Sequence, residues 1–198
     1  MKRQKQEEFN FNIHQQLLDE ARYILLYDEI DKDSAKEINT KLLGMALQNC
    51  KKEILLEINS PGGDVACGMA IINTMIHSPC PIITIVNGYA ASMAGFISVV
   101  GDHRLITKGS YWMAHAGEDG VIGNPQTILD RGVFLKRLEK DLNKIFTDKT
   151  KINKEEFEAI LKGELWFSPE ECLKKGIVDE IIDNFSRKIE LKEKKRKK

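Results

Sequence analysis

The stretch EILLEINSPGGDVACGMAIINTMIHSPCPIITIVNGYAASMAG, residues 53–95, decides the fold. EILLEI (53–58) is a short apolar run of the kind that forms a buried strand, and NSPGG closes it with a proline and two glycines. Asp64 then opens a helical stretch, VACGMAIINTMI (65–76), in which Ala70, Ile71 and Met75 recur on one face. Pro79 and Pro81 stop that helix. ITIV (83–86) is a further buried strand, Gly88 marks a turn, and another helix is expected from about Ala91. Strand, helix, strand, helix in this order predicts a parallel α/β sheet with crossover helices.

The pattern extends in both directions. On the N-terminal side, Tyr23–Leu26 reads as a strand, and Ser34–Cys50 reads as a helix carrying Ala35, Ile38, Leu42, Leu43 and Ala46. On the other side, short strands are expected at Arg104–Thr107 and Tyr111–Ala114. A long helix from about Gln126 to Phe146 follows. Its broad apolar face (Ile128, Val133, Leu135, Leu138, Leu142, Ile145) suits packing against another chain. Ser168-Pro169-Glu170-Glu171 combines a capping box with proline at the first helical position. Gly176 ends that helix before a last strand, IVDEII (177–182). No internal repeat and no second domain is visible.

The 198 residues suffice for one well-buried core. Basic and acidic residues balance at 30 each, so no global field draws the chain to nucleic acid or a membrane surface. The basic run RKIELKEKKRKK (187–198) reads as a solvated tail, since no aromatic residue is interleaved to stack on bases. Cys50, Cys67, Cys80 and Cys172 form no CxxC pair, and the His77/Cys80 spacing lacks a second pair, so no metal site is expected. The thiols read as reduced and mostly buried, which places the protein in the cytoplasm. MKRQKQEEFN (1–10) has no apolar core of a signal peptide, and the longest apolar candidate, Ile82–Val100, is interrupted by Asn87, Gly88 and Gly95.

The chemistry centres on Ser92. Ala90, Ala91, Ala94 and Gly95 surround it with small groups, so a tight strand-to-helix turn leaves its hydroxyl at the tip, as in a nucleophile elbow. The form differs from GxSxG and is weak alone. The helix start beside it offers unpaired N–H groups to a developing negative charge. NSPGGD (59–64) reads either as a plain turn or as one that presents amides, in which case Gly63 joins Met93 as an oxyanion hole. Of the histidines, His115 projects from the end of YWMA (111–114) into a loop, a place for a general base. Glu118 and Asp119 are too close in sequence to orient it, and Glu164, before Trp166–Phe167, is a candidate from a separate element.

Taken together, INSPGGDV…GMAI…GYAASMAG, followed in order by MAH (113–115) and FSPEECLKKGIVDEI (167–181), resembles the ClpP family, the proteolytic subunits of the ATP-dependent Clp protease. The resemblance covers about Phe11 to Ile182. It implies the α/β ClpP/crotonase-like fold, with repeated β-β-α units, a parallel sheet and a helical handle at about 123–146. The expected division is a charged segment at 1–10, a peptidase domain at 11–185 and a basic tail at 186–198. The resemblance also implies Ser92 as nucleophile, His115 as base, and Gly63 and Met93 as oxyanion donors. It implies a homo-oligomer built as a heptameric ring, single or double, enclosing a chamber that receives unfolded polypeptide. No cofactor is implied. The sequence contains no GxxxxGK[ST] segment, so an ATPase would be a separate partner.

Departures from the family pattern are specific. Glu164 stands where the family has an aspartate, Gly163 where many relatives have an arginine, and AHAG (114–117) where they have IHQP. The positions that align with the ATPase-docking rim include Leu55, Glu57, His77, Asn87 and Thr107, more polar than that contact usually is. Three alternatives share the fold: a crotonase-like enzyme acting on coenzyme A thioesters, a non-catalytic ring or scaffold subunit, and a phage-type capsid-maturation peptidase.

Overall fold

The computed structural model describes residues 14–117 and 122–183. The expected N-terminal segment (1–10) and basic tail (186–198) therefore lie outside the described residues, as do Glu118 and Asp119. Residues 14–21 are helical and lead into the first strand.

Strands β1 (Tyr23–Leu26), β2 (Ile54–Ser60), β3 (Ile82–Ala91), β4 (His103–Thr107) and β7 (Glu180–Ile182) form a parallel sheet in the order β1-β2-β3-β4-β7. Helices α1 (Lys32–Gln48), α2 (Val65–Ile76) and α3 (Met93–Val100) lie between the first four of these strands in the chain. Asp31 and Ser34 build a capping box for α1, and Asp64 caps α2 through Cys67 N–H at 2.7 Å. The α2 limits match the sequence reading, because a capping aspartate and the prolines that follow the helix are both local signals.

The third strand departs from expectation. Gly88 does not turn the chain. At φ +109° it lies inside β3, which runs on to Ala91. The first half of β3 pairs with β4 (Ile83–Val86 against His103–Ile106), and the second half pairs with β5 (Tyr111–Ala114) through Tyr89, Ala90 and Ala91. The register against β2 slips between Ile58 and Ser60, where the strand bends. A Cβ on Gly88 would stand 2.4 Å from Asn59 Oδ1, so only glycine fits the bend.

A short strand, β6 (Leu165–Phe167), adds antiparallel to β5. It was not anticipated, nor was the short helix α5 (Lys154–Ile160). Helix α6 (Pro169–Lys175) has the expected capping box and proline start, and Gly176 ends it at φ +67°. The last strand is only the final part of IVDEII, since Ile177 and Val178 are spent on the core.

The main core lies between the sheet and the helices. Trp112, Phe146 and Phe157 are fully buried there, with Phe146 stacked on Phe157 at 4.1 Å and on Trp112 at 5.4 Å between ring centroids. Phe146 and Leu142 are the buried residues of the long helix α4 (Pro125–Lys149). The N-terminal half of that helix leaves Ile128, Leu129, Val133 and Phe134 exposed. Among the described residues no helix is long and apolar enough to cross a membrane.

The other face of the sheet carries a smaller cluster of Leu55, Ile83, Ile85, Leu105 and Ile182. Glu57 is buried beside it, and its carboxylate accepts hydrogen bonds from the Tyr23 and Tyr27 hydroxyls and from Asn87 Nδ2 at 2.8 Å. These donors offset the cost of desolvating the charge. Partial burial and the Glu57 carboxylate push the Tyr27 hydroxyl up to about 12. His77 instead closes α2, its ring Nδ1 lying 2.8 Å from the Asn73 carbonyl. Two of the four thiols, Cys80 and Cys172, are buried, while Cys50 is exposed and Cys67 half-buried.

Candidate active site

The turn between β3 and α3 holds Ser92 at φ +53°, a conformation that costs a non-glycine residue about 1–3 kcal/mol and persists where its surroundings enforce it. The enforcing contacts are visible. Ser92 N–H donates to the Met113 carbonyl of β5 at 3.0 Å, and the Ser92 carbonyl accepts from Gly95 N–H at 3.0 Å. All eight residues of α3 are buried, which fixes the helix that starts there. Ser92 occupies the N-cap position, where a serine hydroxyl ordinarily accepts a bond from the first turn. Here its side chain makes no such bond, so the hydroxyl remains free for other work. Ser98 contrasts with it: its hydroxyl donates to the Gly95 carbonyl at 2.7 Å and accepts from Trp112 Nε1 at 3.1 Å. Ser98 is structural.

The SPGG turn packs directly on this elbow. A Cβ on Gly62, at φ +93°, would meet the Ala91 carbonyl at 2.7 Å and Met93 N and Ser92 Cβ at 2.9 Å. Gly63, at φ +144°, is bridged to Ile30. That bridge uses the Gly62 carbonyl and the Asp64 N–H and leaves the Gly63 N–H over. Among the described residues neither Gly63 N–H nor Met93 N–H has a hydrogen-bond acceptor. Met93 directs its side chain into the notch at Gly68, where an added Cβ would overlap it at 2.3 Å. Its backbone amide is what stays at the turn.

Gly63, Ser92, Met93 and His115 line one cavity of about 690 Å³. Helix α4 closes the other side with Phe134, Leu138 and Leu142 next to Arg131, Lys136 and Glu139. The α4 face that reads from sequence as a partner surface is thus shared between the cavity and the exterior. His115 follows β5 directly, is half-buried, and makes no hydrogen bond among the described residues. His77 and His103 are engaged elsewhere, His103 by Glu180 at 3.3 Å.

Glu164 is placed differently. It is exposed, does not line the cavity, and accepts a hydrogen bond from Trp166 Nε1 on its Oε1 at 2.8 Å. Yet β5 and β6 pair Met113 with Trp166 and Ala114 with Leu165, and that register continued by one residue sets Glu164 opposite His115. Ser92, His115, Gly63 and Met93 are brought together in one cavity, and Glu164 adjoins them across a strand pair. No hydrogen bond links Ser92, His115 and Glu164 among the described residues; such contacts often tighten only with substrate bound. Trp166 escaped the sequence reading, where it counted only as an apolar neighbour of Glu164. The alternation of β6, which puts Glu164 and Trp166 on one face, was the available signal.

Known proteins match this sequence over most of the chain. The family model for Clp protease matches residues 5–185. ATP-dependent Clp protease proteolytic subunit 2 of Mycolicibacterium paratuberculosis is 33% identical over 178 residues, which cover 86% of each chain. The corresponding subunit of Deinococcus radiodurans is 32% identical over 178 residues, covering 89% of this chain and 87% of its own. Subunit 1 of Mycobacterium tuberculosis is 33% identical over 178 residues, or 86% of each. The match over most of the chain, together with the mostly parallel sheet, makes this a hydrolase of the peptidase class. The chain is a member of the Clp protease family.

Proposed function

We propose that this chain is a serine endopeptidase that cuts unfolded polypeptides or peptides through an acyl-enzyme inside an oligomeric chamber. The observation that carries the reading is the Ser92 elbow, whose uncapped hydroxyl shares a cavity with His115 and with the unpaired amides of Gly63 and Met93. Ser92 Oγ attacks the scissile carbonyl while His115 takes its proton. The carbonyl oxygen becomes an oxyanion and accepts from Gly63 N–H and Met93 N–H, two donors that are not spent on an acceptor among the described residues. As the C–N bond breaks, His115 returns the proton to the leaving amine, and the acyl group stays on Ser92 as an ester. Water then gives a proton to His115 and attacks that ester, and the same amides hold the second oxyanion, which collapses with cleavage of the C–Oγ bond as His115 returns the proton to Ser92 Oγ and the carboxylic acid leaves. The carboxylate of Glu164 orients the imidazole and balances the charge it gains.

The exposed apolar half of α4 supports assembly with further copies, as the handle of a ring. Its face on the cavity makes the peptide site apolar with a charged rim. With no GxxxxGK[ST] segment in the sequence, unfolding of folded substrates falls to a separate ATPase. The test is hydrolysis of an unstructured fluorogenic peptide by the purified protein. Activity that disappears in both Ser92→Ala and His115→Ala supports the reading, and full activity in either variant overturns it. A second reading, a catalytically weakened ring subunit, is favoured by the Glu164 carboxylate being bound to Trp166. It predicts no hydrolysis by the unsubstituted protein in the same assay.

A further inference from the structure

Trp166 makes a contact that the reaction scheme does not use. It is half exposed, tilted against Tyr89 of β3 at 6.2 Å between ring centroids, and its indole N–H donates to Glu164 Oε1 at 2.8 Å. Glu164 and Trp166 are two residues apart along an extended segment, so their side chains leave on the same side, with Leu165 opposite. Across the antiparallel pair, Met113 faces Trp166, and the register sets His115 at the level of Glu164. Four side chains, Met113, His115, Glu164 and Trp166, therefore occupy one face of this strand pair.

We infer that Trp166 is a positioning residue for catalysis, holding one oxygen of the Glu164 carboxylate so that the other is presented to the His115 imidazole. The inference rests on the reading of Glu164 as the acid that orients His115. Glutamate reaches further than aspartate and has one more rotatable bond to immobilise. An exposed glutamate left alone samples many rotamers, few of which bring an oxygen to a ring on the neighbouring strand. The indole fixes the carboxylate at one end: Oε1 is bound, and Oε2 has no hydrogen-bond partner among the described residues. The Tyr89 contact holds the indole in turn, which gives a chain of contacts from Tyr89 of β3 through Trp166 to the Glu164 carboxylate.

The experiment measures kcat and KM for peptide hydrolysis by the full-length oligomer and by Trp166→Phe, Glu164→Ala and the double variant. Phenylalanine keeps a ring against Tyr89 and removes only the N–H donor. Loss of one positioning hydrogen bond lowers kcat by about fivefold at unchanged KM. In the Glu164→Ala background the same substitution has nothing left to position and changes kcat no further. Unchanged or raised kcat in Trp166→Phe overturns the inference, and so does an equal loss in both backgrounds, which would mark a packing role. If Glu164→Ala itself keeps full kcat, the acid assignment fails and takes this inference with it. The elbow and its serine stand or fall separately.

Discussion

The substitution Gly62→Ala separates the geometry of the elbow from the stability of the fold. Gly62 is at φ +93°, where alanine is strained by about 1–2 kcal/mol. Its new methyl would stand 2.7 Å from the Ala91 carbonyl and 2.9 Å from Met93 N and Ser92 Cβ. Two of those atoms are backbone and cannot rotate away, so relief requires the SPGG turn and the elbow to separate. Overpacking of this kind costs about 1–3 kcal/mol. Together the two effects destabilise by about 2–5 kcal/mol, less than the roughly 5–15 kcal/mol of a typical domain, so the chain still folds. Activity responds more steeply. The atoms that must move are those beside the nucleophile and the proposed oxyanion donors, and a displacement of about 1 Å at such a site costs about a hundredfold in rate. The assay pairs peptide hydrolysis with thermal unfolding monitored by circular dichroism. The expected result is a folded variant with kcat reduced about a hundredfold or more. A variant that unfolds at a lower temperature yet keeps its kcat would refute the argument that Gly62 sets the elbow.

Three further outcomes follow from other parts of the molecule. Asp179 accepts from Arg104 Nη2 at 2.6 Å and Nε at 3.0 Å, and those hydrogen bonds hold its carboxyl below its ordinary range. A depressed value means its stabilisation is complete above the unfolded-state value of about 3.9 and is lost as pH falls through the lower folded value. Asp179→Asn therefore costs about 1 kcal/mol in urea unfolding at neutral pH, a difference that closes on acidification below about pH 4; a difference that persists at the lowest pH contradicts the assignment. Burial, then the neighbouring Glu171 charge, push the Cys172 thiol up to about 12, so a thiol reagent at mild alkaline pH should modify it only after denaturation, and rapid reaction of native Cys172 would count against its placement. Ser98→Ala removes one of the two acceptors of the Trp112 indole, leaving the Gly95 carbonyl at 3.2 Å, and should lower stability by about 0.5–1.5 kcal/mol while leaving Ser92 reactive; loss of Ser92 reactivity there would mean that Ser98 belongs to the site.

The elements with local punctuation were legible in advance. Asp64 and the prolines Pro79 and Pro81 bound α2, while Ser168, Pro169, Glu171 and Gly176 bound α6, because caps and breakers are signals local to the chain. The continuation of β3 through Gly88 was not legible, since it depends on an exchange of partners from β4 to β5 and no window of sequence contains both. β6 is a three-residue strand whose existence depends on β5 being beside it. For the site, small residues around Ser92 and the glycines at 62 and 63 pointed to the turn, and the family resemblance pointed to roles. The positive φ of Ser92 and its uncapped hydroxyl are properties of the folded turn and carry no sequence signal of their own, whereas the Glu164–Trp166 contact had only the two-residue spacing to announce it.

The most direct test is covalent labelling of the nucleophile. The purified protein is treated with a serine-directed fluorophosphonate, and the adduct is located by peptide mass spectrometry. A single adduct on Ser92, absent from Ser92→Ala and retained in Ser98→Ala, is the result predicted here. An unlabelled protein, or an adduct on any other residue that survives in Ser92→Ala, would contradict it.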